Sequence, residues 1–310
     1  MGSSLPFQPR VLILFNPTAG QSKNLIPALE SAADRWRDHG WQVNLRPTRS
    51  AGDATDLARE AAAQGYAVVV AAGGDGTVNE VVNGLVGTQT ALAVLPIGTV
   101  NIWAREMGLP MDLQRSAIAF LQARLKQIDV GQAGERYFLL MAGVGFDAAV
   151  TAKIRSSEKK RLGAIAYLIQ ALQLAQQFKG LRADIRIDGK RIRGRILMVV
   201  IGNSQLYGGV VKLTAHAVLN DGLLDVCVIK GRNMWTAPLR LLSILLRQYD
   251  RDTQVNYYRA RQVQVLGQKV LPVQVDGDYL GVTPMTFQVV PKSLWVLVPP
   301  SADRSLWQPG

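Results

Sequence analysis

The chain has 310 residues, 48% hydrophobic and 19% charged, a composition that excludes a disordered or fibrous protein and is long enough to suggest two cores. Lysine and arginine number 35 against 23 acids, and the resulting charge of +12 favours polyanions without choosing among nucleic acid, anionic membrane and phosphorylated substrates. The lone Cys227 excludes an internal disulfide, and no apolar run approaches the ~20 residues of a membrane-spanning helix.

Met1 to Arg10 lack the charged-then-apolar order of a signal peptide, and Pro6 stands where a myristoylation signal needs Ser or Thr. A cytosolic protein is expected. Residues 11–15 form a continuous apolar run that ends in Asn16-Pro17-Thr18-Ala19-Gly20, as a buried strand feeding a turn does. Leu25, Leu29, Ala32, Ala33 and Trp36 recur at helical spacing, with Gly40 placed to end the helix. Val43 and Leu45 alternate with polar neighbours in a second strand. Asp53 caps a helix reaching Gln64, residues 66–72 read as a third and buried strand, residues 77–86 as a helix, and residues 91–95 as a fourth strand.

Strand and helix thus alternate over residues 1–125, which predicts an α/β domain with an open, mostly parallel sheet. From Lys126 the texture changes to short alternating runs at 184–188, 195–201, 223–229, 262–266 and 294–298, which predicts a mainly antiparallel β-sandwich over 126–300 and a tail at 301–310. Apolar-basic segments at 160–178 and 234–249 are long enough for helices. Their stretches 162–174 and 234–246 either line a cleft for an acyl chain or pack on the core. Arg191, Arg193 and Arg195 alternate, so a strand presents all three on one face, and Lys153, Arg155, Lys159, Lys160 and Arg161 meet one nearby acid, Glu158. Two readings stay open for this basic surface: a merely solvated face, or one that docks on anionic lipid.

The strongest feature is Gly73-Gly74-Asp75-Gly76-Thr77-Val78-Asn79-Glu80 between a buried strand and a helix. Consecutive glycines let backbone N–H groups approach phosphate oxygens, and the helix N-terminus adds partial positive charge. No Gly-Lys-Ser/Thr follows, so this is not a Walker A loop, nor does it fit a dinucleotide fingerprint.

This run occurs with Asn16-Pro17-Thr18-Ala19-Gly20, then Leu95-Pro96-Ile97-Gly98-Thr99-Val100-Asn101 with Ala104-Arg105, then Gly143-Val144-Gly145-Phe146-Asp147-Ala148. Tyr207-Gly208-Gly209, Asn220-Asp221-Gly222-Leu223-Leu224-Asp225 and Val275-Asp276-Gly277-Asp278 follow in order. On these motifs the sequence resembles the diacylglycerol kinase catalytic-domain family, which includes bacterial lipid kinases and is related to sphingosine and ceramide kinases. The resemblance spans residues 11 to about 298. It implies an NAD kinase/diacylglycerol kinase-like fold and an ATP-dependent lipid kinase with Mg2+. It also implies a cytoplasmic, peripherally membrane-associated protein with a lipid substrate and no nucleic-acid partner; a homodimer stays open.

Carried over position by position, the resemblance implies nucleotide contacts at Asn16, Pro17, Thr18, Ala19, Gly20, Thr48, Gly73, Gly74, Asp75, Gly76, Thr77, Val78, Asn79 and Thr99. Most sit after strands, where open α/β sheets bind ligands. Phosphoryl transfer also needs a group to take the acceptor's proton. The family's acid of an Asp-Gly-Glu segment corresponds to Asp278 of Asp276-Gly277-Asp278, shorter by one methylene. Asp276-Gly277 equally reads as a hairpin turn.

By the same resemblance Asp221, with the carbonyls of Val218 and Leu223, would hold a structural magnesium, since hard cations take oxygen donors. The local alternative is a type I′ turn at Asn220-Asp221-Gly222. Ile102-Trp103 departs from the family's Asp-Phe. His39 and His216 are too isolated for a metal site. A soluble-substrate kinase of the NAD kinase type and a non-catalytic nucleotide- or membrane-binding protein are the competing functions.

Overall fold

The computed structural model describes residues 5–17, 24–155, 178–209, 211–232, 254–267 and 269–308. The chain forms two compact units, one of Met1–Val130, Val218–Gly222 and Val290–Gly310, the other of Gly131–Ala217 and Leu223–Val289.

The first unit opens with β1 (Arg10–Phe15), α1 (Leu25–Arg37), β2 (Gln42–Pro47), α2 (Asp53–Ala63), β3 (Val68–Gly73), α3 (Asp75–Leu85) and β4 (Ala91–Pro96), followed by α4 (Ile102–Glu106) and α5 (Leu113–Phe120). Strands β4, β3, β1 and β2 lie side by side in that order, all parallel. Every residue of β3 and β4 is buried, whereas β2 at the edge alternates, so only the central strands read as unbroken apolar runs. Helix α1 buries the five residues that the spacing marked, and Trp36 donates its indole N–H to the Ala117 carbonyl of α5 at 2.8 Å. The sequence pattern did not disclose α4 and α5, which are too short to build a period. The Asp112 carboxylate caps α5, accepting the Arg115 N–H at 2.9 Å.

The second unit is antiparallel. It contains β6 (Arg136–Phe138), reached through β5 (Arg124–Ala133), then β7 (Met141–Gly145), α6 (Phe146–Arg155), β8 (Leu181–Ile187), β9 (Lys190–Gly202), β10 (Leu206–Tyr207) and β11 (Val211–Lys212). Next come β12 (Leu224–Lys230), β13 (Val255–Ala260), β14 (Gln262–Gly267), β15 (Pro272–Val275), β16 (Asp278–Val282) and the start of β17 (Met285–Val298). The thirteen-residue β9 is the centre: β8 pairs along its first half, β7 and β12 along its second. Strand β8 alternates strictly, its buried Ala183, Ile185 and Ile187 joining Phe138, Val199, Val226, Val263 and Phe287 in one core.

Two expectations are corrected. Residues 294–298 do not belong to the antiparallel half: within β17, Trp295 and Val296 run parallel to Ala91 and Leu92 of β4 and extend the first sheet. The chain also does not leave the first unit for good near residue 125, since 218–222 and 290–310 return to it. Sequence texture registers strand type locally, and no local signal says which sheet a late strand joins. The stretches 162–174 and 234–246, expected from sequence to be helices, lie outside the described residues, as do Lys159, Lys160 and Arg161.

Candidate active site

Because β1 to β4 are parallel, their C-terminal ends share one edge: Phe15 pairs with Pro47 and Ala72, and Gly73 with Pro96. The loops that follow therefore gather Asn16, Pro17, Thr48, Gly73 to Thr77 and Thr99 along that edge. The Thr48 N–H donates to the Phe15 carbonyl at 2.8 Å and the Asn16 N–H to that of Ala72 at 3.3 Å. Thr18, Ala19 and Gly20 lie outside the described residues.

Helix α3 begins at Asp75, two residues before the pattern suggested, so Asp75, Gly76 and Thr77 form its first turn. Its N-cap is Gly74, which has no side chain to cap the first N–H groups. Sterics keep Gly73 and Gly98 bare. A Cβ on Gly98 would lie 2.5 Å from Gly74 Cα, and one on Gly73 would run into Thr77. The Gly98 N–H donates to the Gly73 carbonyl at 3.3 Å, a backbone link between the loops after β3 and β4.

Asn101 holds this junction from behind. Its φ of 52° is left-handed, its Oδ1 accepts the Gly98 N–H at 3.0 Å, and its Nδ2 donates to the Gly98 carbonyl at 2.6 Å. Asparagine is among the few side chains that tolerate that backbone. Asp75 ties the helix to the same loop, accepting the Ile102 N–H at 2.7 Å. Burial raises its pKa, and the backbone donors of Ile102, Trp103 and Asn101 partly oppose that. At position 102 it is the backbone that bonds, so the missing acid there leaves this tie intact.

Val78 and Asn79 come next in the helix. Both are buried one turn further along α3; the Val78 N–H is spent on the Gly74 carbonyl, and Asn79 accepts from Asn83.

The acidic hairpin belongs to the second unit. Val275 pairs with Asp278, and the two residues between, Asp276 and Gly277, have φ of 46° and 86°. That is a type I′ turn, the hairpin the Asp-Gly pair predicted. It puts Asp278 at the first position of β16, half-exposed, with Arg136 at 3.5 Å. Asp276 is structural: one carboxylate oxygen accepts the N–H groups of Leu140 and Met141, each at 2.9 Å, and the other that of Leu139 at 2.8 Å.

Beneath the turn lies a network that the sequence reading did not assign. Asp147, at the start of α6, is buried, and burial raises its pKa against the pull of two donors. The Tyr207 hydroxyl donates to one of its oxygens and the Gln274 amide to the other, the latter at 2.6 Å. Gln274 then accepts the Gly277 N–H at 2.8 Å. Gly143 must be glycine, since a Cβ there would strike Asp147 and Gln274. The Gly-x-Gly-Phe-Asp-Ala motif was visible, but its partners lie 60 and 127 residues away.

Asn220 and Asp221 have no positive φ, and Gly222 is at 73°, so the type I′ alternative is not formed. The segment 218–222 is held by Asp129, whose oxygens accept the Gly222 N–H at 2.6 Å and the Lys292 N–H at 2.7 Å. Among the described residues no three of His, Cys, Asp and Glu gather as a metal cluster. Any cation there would depend on Asp221 with main-chain carbonyls, a hard-oxygen set that fits magnesium.

Comparison with known proteins agrees with this geometry. Residues 10–133 match the family described as the diacylglycerol kinase catalytic domain, and residues 141–298 the YegS C-terminal NAD kinase beta sandwich-like domain. The chain is 32% identical over 304 residues to a diacylglycerol kinase of Bacillus subtilis, covering 96% of this chain and 99% of that one. The chain belongs to the diacylglycerol kinase family. It is 37% identical over 273 residues to a probable lipid kinase YegS-like of Pseudomonas putida, covering 87% and 90%. The fold matches a crystal structure of a diacylglycerol kinase from Bacillus anthracis with a TM-score of 0.76 at 24% identity, over 95% of this chain and 99% of that one. As a member of this family the chain is an enzyme of the lipid kinase class, a phosphotransferase with an alcohol group as acceptor. No helix among the described residues is long and apolar enough to cross a membrane.

Proposed function

We propose that this family member transfers the γ-phosphoryl group of ATP to the hydroxyl of a diacylglycerol-like lipid at a membrane surface. The observation that carries the reading is the side-chain-free junction of Gly73-Gly74 with Gly98 at the uncapped N-terminus of α3. Backbone donors and the helix dipole there suit the anionic oxygens of a triphosphate. Asp75, Gly76 and Thr77 supply those donors, with Asn16, Thr48 and Thr99 beside them.

Asp278 is the proposed base. It takes the proton of the lipid hydroxyl; that oxygen attacks the γ-phosphorus, the new O–P bond forms, the bond to the bridging oxygen breaks, and ADP departs. Magnesium brought with ATP spreads the phosphate charge. A structural magnesium on Asp221, with the carbonyls of Val218 and Leu223, would stiffen its turn. The relatives' names favour a lipid acceptor over NAD.

Incubating a total lipid extract with enzyme, magnesium and labelled ATP, beside a parallel incubation with NAD, tests the reading. A lipid that gains one phosphate supports it. Label in the NAD product with none in any lipid rules it out.

A further inference from the structure

The side of the second unit that β8 and β9 turn to solvent is almost entirely guanidinium. In their antiparallel register Arg182 stands opposite Arg195, Asp184 opposite Arg193, and Arg186 opposite Arg191. Opposite residues share a face, and the alternate positions Ala183, Ile185, Ile192 and Ile196 are buried. Five arginines and one aspartate therefore point outward together.

The one acid is already spoken for. Asp184 accepts from Arg191 Nε at 2.7 Å, and that bond, with the fields of Arg186 and Arg193, holds its carboxyl below the usual range. Among the described residues no carboxylate pairs with Arg182, Arg193, Arg195 or Arg232. These four, with Arg191, line an open cavity of about 700 Å³ bounded by Leu266 of β14.

Like charges directly opposite on a sheet destabilise it. Arg182 with Arg195 and Arg186 with Arg191 are two such pairs; Asp184 offsets the second through Arg191, and among the described residues no carboxylate offsets the first. An external anion would. A guanidinium matches phosphate oxygens with two parallel N–H donors. The array repeats at ~4.8 Å across strands and roughly 7 Å along them, so it presents many donors over a surface rather than one chelating point.

We propose that the outer face of β8 and β9 docks on an anionic phospholipid bilayer, its arginines meeting headgroup phosphates. The choice of a bilayer rests on the lipid-acceptor reading; the anion preference rests on the arginines alone. Each arginine near an anionic membrane contributes about 1 kcal/mol.

The test compares the full chain with its Arg182→Gln/Arg193→Gln/Arg232→Gln variant in sedimentation with phosphatidylcholine vesicles, with and without phosphatidylglycerol. The wild type is expected to bind only the anionic vesicles and to lose binding in ~1 M salt, where screening shrinks to ~3 Å. The variant should bind about 100-fold more weakly, melt no lower than the wild type, and phosphorylate detergent-dispersed diacylglycerol unchanged. Equal vesicle binding by the two proteins overturns the proposal, as does wild-type binding to neutral vesicles or tighter binding to single-stranded RNA than to anionic vesicles. Docking lost in the variant, together with no lipid phosphorylated by either protein, leaves this surface standing and refutes the proposed reaction instead.

Discussion

The Gln274 side chain donates to the buried Asp147 carboxylate at 2.6 Å and accepts from the Gly277 N–H at 2.8 Å, so a carboxylate under the sheet sets which way the amide faces the turn before Asp278. A carboxylate only accepts, which leaves Gln274 Nε2 on its side and Oε1 toward the turn. Asp147→Asn can place an NH₂ against Gln274; relieving that clash by flipping the amide breaks the bond to Gly277. Turnover should fall about 10- to 100-fold, as a base displaced by ~1 Å implies, with KM for ATP unchanged. A KM for ATP that rises in parallel would place the defect elsewhere.

Asp278→Asn should lower turnover about 100-fold or more, the scale of a lost general base, while the melting temperature stays near that of the wild type. Its side chain is half-exposed, and Arg136 at 3.5 Å is similarly solvated, so little stability depends on the pair. Single-turnover kinetics with diacylglycerol decides it, and wild-type rates refute the role.

Asp276→Ala acts oppositely. It strips an acceptor from the N–H groups of Leu139, Leu140 and Met141. The cost should be about 3 kcal/mol, since partly buried donors go unmet. Urea denaturation measures it; a cost within ~0.5 kcal/mol would mean water replaces the carboxylate.

Gly98→Ala places a methyl 2.5 Å from Gly74 Cα and must push the loops after β3 and β4 apart. KM for ATP should rise about tenfold or more, with stability lowered by ~1–3 kcal/mol from overpacking. Gly134, where a Cβ meets nothing within 4 Å, is a control site for loss of glycine, though its φ of 58° adds strain.

Burial raises the Asp225 pKa to about 7, opposed by the His216 backbone N–H. Its cross-strand partner Arg259 lies at 3.4 Å but is half-exposed, too solvated to cancel the burial. The unfolded value is about 3.9, so the folded state holds a proton that the unfolded state releases between these pH values. Stability from this group is complete below pH ~4 and is lost as pH rises to about 7. Thermal unfolding across that range should show the decline, and Asp225→Asn should flatten it.

Much of this was legible in the sequence. The unbroken apolar runs of β3 and β4, the five buried positions of α1, and the strict alternation of β8 are local patterns, and local patterns fix element type and the face turned inward. The Gly-Gly-Asp-Gly-Thr turn was legible for the same reason, because it lies within a few residues and Thr77 alone requires glycine at position 73. Likewise the Asp276-Gly277 turn follows from the two residues that form it.

What only the tertiary structure decided is partnership. That Val78 faces the core, that residues 294–298 extend the parallel sheet, and that Asp147 reaches Tyr207 and Gln274 all depend on segments far apart in sequence. Backbone geometry and hydrophobic period act over a few residues, so a single chain records them directly. Burial of a carboxylate, and the donors that make it tolerable, depend on packing that no stretch of sequence contains.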